Sequence, residues 1–190
     1  MSSPAVPMEA TQSLCKSCGL CCGGALFFRA EVKPGELDAL VSLGLYVSRD
    51  ETGPHFTLPC TMLDGTCCTI HKTKPEVCRN YRCRVLERLE SGELTAGRAQ
   101  AIVNQAKLLE KTANELLANA GGPNMSIWKR LEEFAKQEGL TLEEEEFSRR
   151  HWLLGMHLMM FRDLINEEFR AKKQPAGKVL DLDESLWDGQ

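Results

Sequence analysis

Residues 15–22 read Cys15-Lys-Ser-Cys18-Gly-Leu-Cys21-Cys22 and place four thiols within eight residues. Two cysteines separated by two residues can turn back so that both sulfurs reach one tetrahedral ion. Cys15 and Cys18 therefore form a natural chelating pair. The tight backbone turn that this requires is favoured by three nearby glycines, Gly19, Gly23 and Gly24.

A second set of thiols follows in the stretch CTMLDGTCCTIHKTKPEVCRNYRCR, residues 60–84. Its members are Cys60, Cys67, Cys68, Cys78 and Cys83. All nine cysteines of the chain lie between positions 15 and 83. In a reducing compartment such a cluster indicates metal binding or catalysis. Structural disulfides and free buried or redox-active thiols remain as alternatives.

The charge balance and the apolar content of the sequence limit which partners and which compartment we expect. The 190 residues carry 23 Lys and Arg against 27 Asp and Glu, a net charge of -4. No overall positive field favours nucleic acid or anionic lipid, so we expect neither partner. The N-terminal residues lack the basic start and apolar run of a signal peptide, and no stretch reaches the length of a membrane span. We therefore expect a cytoplasmic protein.

Composition shifts along the chain predict four parts. They are a flexible tail at residues 1–14, a cysteine-rich metal-binding module at 15–88, a helical region at 89–174 and an acidic C-terminal tail at 175–190.

Within the cysteine-rich module, turn residues alternate with short apolar runs. Leu45–Val47 and Phe56–Leu58 are candidate strands of a small β-hairpin, and Pro34–Leu43 has the spacing of a short helix. The residues predicted to separate the two strands are Asp50, Gly53 and Pro54.

Three helices are predicted beyond the cysteines. The first has its apolar side over Ile102–Leu116, and the second begins after Ser126 and ends near Gly139. The third opens at Thr141 with a capping-box spacing. Its apolar side carries Phe147, Leu154, Leu158, Phe161, Ile165 and Phe169. The predicted fold class is mainly α, with an irregular metal-binding module that can hold a small hairpin, followed by an α-helical bundle or hairpin.

At its cysteines the sequence resembles the YkgJ-like CxxCxxCC cysteine-cluster family, which is described as a zinc- or iron-chelating domain. The family pattern is C-x2-C-G-x-C-C, a further cysteine, and then C-[ST]-I-Y-x2-R-P-x2-C-R-x3-C. Pro75 and Arg79 match it along with the cysteines. The resemblance implies eight metal ligands: Cys15, Cys18, Cys21, Cys22, Cys60, Cys68, Cys78 and Cys83.

Three positions depart from the family pattern. Cys67 is additional, His71 replaces the usual Tyr, and Lys74 replaces the usual Arg. The first two leave open whether Cys67 or His71 joins the ligand set. The third keeps the positive charge.

Eight matched thiols equal two sets of four, which suits two zinc ions or two iron-sulfur clusters. The neighbours Cys21 and Cys22 point apart in an undistorted backbone, so we expect them to serve different metals or one of them to bridge. Five nearby cations would offset the charge of a thiolate-bound metal, or else form a solvated surface. They are Lys72, Lys74, Arg79, Arg82 and Arg84.

Three functions compete at this stage. The first is a binding protein in which metal is mainly structural and the helical region or C-terminal tail contacts a protein partner. The second is an iron-sulfur redox or methylase-like enzyme, since flagellin lysine methylases share the cysteine pattern. The third is metal storage or delivery. Outside the cysteines no catalytic motif is visible. Four residues of the third helix are interpreted as packing residues, with a partner or substrate surface as the alternative: Trp152, Met156, Met159 and Met160.

Overall fold

The described part of the chain is mainly helical. The computed structural model describes residues 8–117, 120–122, 124–142 and 145–170. Its helices are α1 Met8–Cys18, α2 Leu37–Ser42, α3 Glu76–Asn80, α4 Arg84–Glu90, α5 Ala96–Leu116, α6 Ile127–Gln137, α7 Glu145–Arg150 and α8 Trp152–Leu164. A 3₁₀ turn, Pro34–Glu36, precedes α2, and a π-helical turn, Ile165–Phe169, continues α8. The predicted fold class is confirmed.

Five short strands form two antiparallel sheets. They are β1 Arg29–Glu31, β2 Ser48–Asp50, β3 Gly53–Thr57, β4 Leu63–Asp64 and β5 Cys67–Cys68. β3 lies between β1 and β2, with Ala30 opposite Phe56, and β4 pairs with β5. The three-stranded sheet and α2 enclose a small core of five buried residues, Ala30, Val32, Leu40, Leu45 and Phe56.

The predicted hairpin exists, but its first strand was misplaced. Leu45 is buried as a core residue before the strand, and the strand itself is β2. The Asp50 carboxylate ends β2 by accepting hydrogen bonds from the backbone N–H and the hydroxyl of Thr52, at 2.9 and 2.7 Å. The turn therefore lies at residues 51–52, and the predicted turn residues Gly53 and Pro54 belong to β3.

The N-terminal tail differs from the prediction over residues 8–14. Helix α1 begins at Met8, and Thr11 and Leu14 are buried where α1 packs on α4 and α5. Leu14 supplies the apolar contact that a free tail would lack. Residues 1–7 and the predicted acidic tail at 175–190 lie outside the described residues.

A large core joins the cysteine-rich module to the helices. It draws side chains from α1, the turn after α1, α4, α5, α6 and α8. Its fully buried members include Leu20, Leu26, Leu89, Leu131, Phe161 and Phe169. The core therefore crosses the predicted boundary at residues 88 and 89. Within the described residues, no helix is both long enough and apolar enough to span a bilayer.

The predicted third helix is interrupted. α7 and α8 meet at His151, whose φ of -118° and ψ of 35° leave the helical region. Both segments still bury the predicted apolar side, from Phe147 through Phe169. The capping-box residues Glu143 and Glu144 lie outside the described residues. The predicted start of the second helix is confirmed, since the Ser126 hydroxyl accepts a hydrogen bond from the Lys129 N–H at 3.3 Å.

One interpretation of α8 is wrong. Trp152, Met156, Met159 and Met160 do not pack inside the protein but are 64, 38, 51 and 46% exposed. The helix buries its other side, which carries Leu154, Leu158 and Phe161.

Candidate metal centre

Helix α1 and the turn after it position the first four cysteines. Cys15 and Cys18 are three residues apart in the last turns of α1, so they lie on the same face. Gly19 then reverses the chain with a φ of 74°, and the Gly23 N–H donates to the Gly19 carbonyl at 2.8 Å. This turn carries the adjacent pair Cys21-Cys22 back toward the body of the protein.

The other four cysteines come from separate short elements. The Cys60 backbone N–H donates to the Cys22 carbonyl at 2.8 Å, which ties the two cysteine stretches together. Cys68 lies on β5 and Cys78 on α3. Cys83 directly precedes α4.

The eight predicted ligands line one cavity of about 130 Å³. They are Cys15, Cys18, Cys21, Cys22, Cys60, Cys68, Cys78 and Cys83. The additional cysteine, Cys67, is exposed and does not line it. Its thiol makes a weak hydrogen bond of 3.5 Å to the Lys16 carbonyl. The structure thus brings together the family-matched set and leaves the ninth thiol outside.

The eight thiols form two groups by electrostatic interaction. Burial is the main cause of the raised pKa of Cys21 and of Cys22. Among the charges, those on Cys83 and Cys18 act most on Cys21, and those on Cys60 and Cys68 act most on Cys22, while Cys22 also acts on Cys21 and Cys15 acts on both. We call Cys15, Cys18, Cys21 and Cys83 group A. We call Cys22, Cys60, Cys68 and Cys78 group B. The division falls between the neighbours Cys21 and Cys22.

The surrounding side chains divide in the same way. Every member of group A packs in or against the large core. In group B, Cys60 and Cys78 pack against the small core of the sheet. Group A therefore adjoins the large core, and half of group B, Cys60 and Cys78, adjoins the small core of the sheet.

Burial favours the neutral form of six of these thiols when no cation is near. Desolvation is the largest cause of the raised pKa values of Cys18, Cys21, Cys22, Cys60, Cys78 and Cys83, and nearby thiolates raise them further. The pKa rises to about 12 for Cys18, Cys22 and Cys78, to about 11 for Cys83, and well above the ordinary value for Cys21. A bound metal must displace these protons, so binding releases them.

The donor set fits zinc or iron. All nine cysteines are free thiols, and each group supplies the four sulfurs of a cysteine-only site. As placed, the described residues contain no group of three or more His, Cys, Asp or Glu that could hold an ion. Closing on a metal therefore requires rotation of the cysteine side chains about χ1.

His71 and Lys74 are two polar residues that line the cavity. Burial, followed by the charges of Lys74 and Lys16, lowers the pKa of His71. The charge of Lys74 also opposes part of the rise in pKa that burial causes at Cys22 and Cys78, so it favours thiolates there.

The other four basic residues that the sequence analysis named near the cysteines do not line the cavity. The Arg79 guanidinium contacts Glu36 at 3.1 Å, and Arg84 donates to the Glu167 carbonyl at 2.6 Å. Arg82 pairs with Glu90, and Lys72 is exposed. Of the five cations, Lys74 alone lines the cavity.

Three aromatic residues of the cavity were missed by the sequence analysis. Phe27 and Tyr81 meet edge to face at 5.0 Å between ring centroids, and the Tyr81 hydroxyl donates to the Phe169 carbonyl at 3.4 Å. In the sequence Tyr81 lies between Cys78 and Cys83, so its position could have marked it as a residue close to the predicted ligands. No comparable signal marked Phe169, which reaches the cavity from the end of α8.

Comparison with known proteins returns one match. The family model CxxCxxCC, described as a "putative zinc- or iron-chelating domain", matches residues 14–112, which is 99 of the 190 residues. No curated protein matches the chain. No solved structure matches it either.

Proposed function

The chain belongs to the CxxCxxCC family, and from that premise we propose that it binds zinc or iron as two centres of four thiolates each. Group A would hold one centre and group B the other. Zinc would supply a cross-link without redox chemistry, whereas an iron-sulfur cluster would supply electron transfer.

One observation carries this proposal. Eight of nine cysteines line a single cavity, where four pack in or against the large core and two of the other four, Cys60 and Cys78, pack against the small core. A solvent-exposed thiol, Cys67, is the one left out. Cysteines that had gathered by chance would not be expected to divide into two sets of four.

We propose that the metal is mainly structural. The small core contains only five buried residues, which is little apolar burial for three strands and a helix. Ligation by group B would connect the turn after α1, the segment before β4, β5 and α3. A metal that binds only the folded chain adds its binding free energy to folding. Free thiols of this number are typical of a reducing compartment, which supports a cytoplasmic location.

Metal analysis of paired variants tests the two-centre arrangement. Protein expressed in iron-sufficient medium and purified without oxygen should carry two centres, measured by elemental analysis and visible absorption. Cys21→Ser and Cys22→Ser should each lose one centre, because the neighbours serve different groups. Cys67→Ser is the matched control and should keep both. Loss of metal from Cys67→Ser, or full retention in both neighbour variants, would contradict the proposal.

The same measurement distinguishes the metals. Two zinc ions per chain without visible absorption would support the structural role. Several irons with matching acid-labile sulfide would support the redox-enzyme alternative instead.

The exposed side of α8 supports a protein-binding surface. Trp152, Leu153, Met156, Met159 and Met160 are all at least 38% exposed, and methionine-rich apolar surfaces adapt to bound partners. A photo-crosslinking residue at Met156 should capture a defined protein from the source cell. The same residue at the exposed Lys111 on α5 is the control.

A further inference from the structure

The two groups of thiols differ in the chain segments that carry them. Residues 61–74, which we call the outer segment, contain no buried residue and carry Cys68 of group B. Leu14 and Leu20, which adjoin Cys15 and Cys21 of group A, are buried. The thiols themselves do not separate by exposure, because Cys83 is buried and the other seven are half-buried. The difference between the groups therefore lies in the outer segment.

The outer segment is held to the rest of the protein by few contacts. In the part of the chain that the structure describes, the hydrogen bonds of residues 61–74 stay within the segment or reach the adjoining Cys60, with two exceptions. The Cys67 thiol, a weak donor, contacts the Lys16 carbonyl, and the Arg79 guanidinium donates to the Lys74 carbonyl at the end of the segment. The other attachments are Met62 and Ile70, which are partly buried against the small core, and the approach of Thr66 and β5 to Gly19 and α1.

Among the described residues, group A has no comparable segment that is loosely attached to the rest of the protein. Cys15 and Cys18 lie on α1 and Cys83 precedes α4, and both helices pack on α5 and on each other. Opening group A requires whole helices to leave the large core. Local opening costs least where few buried contacts are broken, so the outer segment should open long before these helices separate.

We propose, resting on the two-centre function above, that group B, whose ion would cross-link the sheet while bound, is also an exchange site for a thiophilic divalent cation such as Zn²⁺, whereas group A retains its ion. The outer segment is the part of this site that moves. If it opened, Cys68 would be the ligand that leaves, and Cys22, Cys60 and Cys78 would be left to hold the ion until an acceptor took it. Each sulfur that loses the ion takes up a proton from water, and no electron is transferred, so no redox partner is required.

Chelator competition on the full chain tests this proposal. Protein loaded with Zn²⁺ is mixed with an excess of a chromophoric chelator, and released zinc is followed by absorbance. We expect two phases of equal amplitude whose rates differ by about tenfold or more, since local opening free energies range from near zero to the global value.

Substitutions assign the phases. Cys68→Ser should abolish the fast phase and leave the slow one, and Cys67→Ser, its matched neighbour, should keep both. A fast phase that disappears in Cys15→Ser but persists in Cys68→Ser would overturn the proposal. A single phase for both ions in the unsubstituted protein would overturn it as well.

A second measurement needs no substitution. Hydrogen exchange followed by mass spectrometry during zinc release should show peptides from the outer segment losing protection in the fast phase, while α5 stays protected. Simultaneous loss in both regions would contradict local opening of the outer segment. Fewer than two zinc ions per chain before mixing would instead contradict the two-centre function, so the two failures are distinguishable.

Discussion

At the scale of single residues, Gly24 connects the cysteine turn to a helix. Its φ is 81°, and a Cβ added there would lie 2.8 Å from the Cβ of Ser126, the residue that caps α6. Both the backbone conformation and the close approach therefore require glycine. The sequence suggested flexibility at Gly24 but could not reveal its neighbour.

Gly24→Ala should lower the free energy of unfolding by about 1–3 kcal/mol, because it combines a left-handed conformation with a steric clash. Gly155→Ala is the matched control, since nothing lies within 4 Å of the added Cβ and the position is inside α8. The control should be neutral or more stable by up to about 1 kcal/mol, since Ala has the higher helix propensity. Urea denaturation measures both, and equal effects would contradict the structural reason given.

Because the Glu110 carboxyl is largely buried, we expect the free energy of unfolding to depend on pH. Burial raises its pKa from 4.5 to about 7, and the charge of Lys107 opposes this only in part. Between these two values the folded protein holds a proton that the unfolded chain has lost. The free energy of unfolding should therefore fall as pH rises from about 4.5 to about 7.

Glu110→Gln removes this titration, so its free energy of unfolding should fall less over the same pH range. Glu115→Gln, an exposed position on the same helix, is the control and should follow the parent protein. Urea denaturation at a series of pH values measures the slopes. Parallel slopes for the parent and Glu110→Gln would show that Glu110 does not bind the proton.

At the scale of helices and strands, α6 is joined to the cysteine turn by one buried hydrogen bond. The Trp128 indole N–H donates to the Ala25 carbonyl at 3.0 Å, and the ring stacks on Phe161 at 5.9 Å. A helix of the second half thus supports the residues that follow Cys22.

Trp128→Phe keeps an aromatic ring but leaves the Ala25 carbonyl without this donor. We expect a loss of about 1–3 kcal/mol in the free energy of unfolding, the usual cost of an unsatisfied buried acceptor. Trp152→Phe on the exposed side of α8 should change stability by no more than about 0.5 kcal/mol. Thermal and urea unfolding of the two variants provide the comparison, and a similar effect from both would argue against this connection.

Sequence patterns located most elements because their signals are local. Ser126 and the apolar spacing of α5 and α8 predicted helices that exist. The signals failed where tertiary contacts decide. Leu45 resembles a strand residue but is a core residue, and α1 is stabilised by burial of Leu14 against distant helices.

At the scale of the whole molecule, the cysteine-rich module and the helical region depend on one core. Leu20, Leu26 and Phe27 of the module pack with side chains of α5, α6 and α8. The resemblance to the family pattern implied the eight cysteines as a set, and their number predicted two sets of four, with Cys21 and Cys22 expected to serve different metals. Which of the other cysteines join each set could not be predicted, because that depends on how distant segments pack together.

A chain ending at Ser91 keeps all nine cysteines but lacks the helices that cover Leu20, Leu26 and Phe27. We expect this fragment, supplied with Zn²⁺, to show poorly dispersed amide NMR signals and no sharp thermal transition, unlike the full chain. A well-dispersed spectrum with bound metal would mean that the module folds alone.

The position of the ligands along the chain makes one loop lie inside another. A loop closed by ligation in group B would run from Cys22 to Cys78, and one closed in group A would enclose it, with Cys21 and Cys83 just outside its two ends. While group A held an ion, the ends of the inner loop would stay near each other, so most of the entropic cost of closing the inner loop would already be met. The inner loop would then be able to release and rebind an ion repeatedly while the outer loop stayed closed.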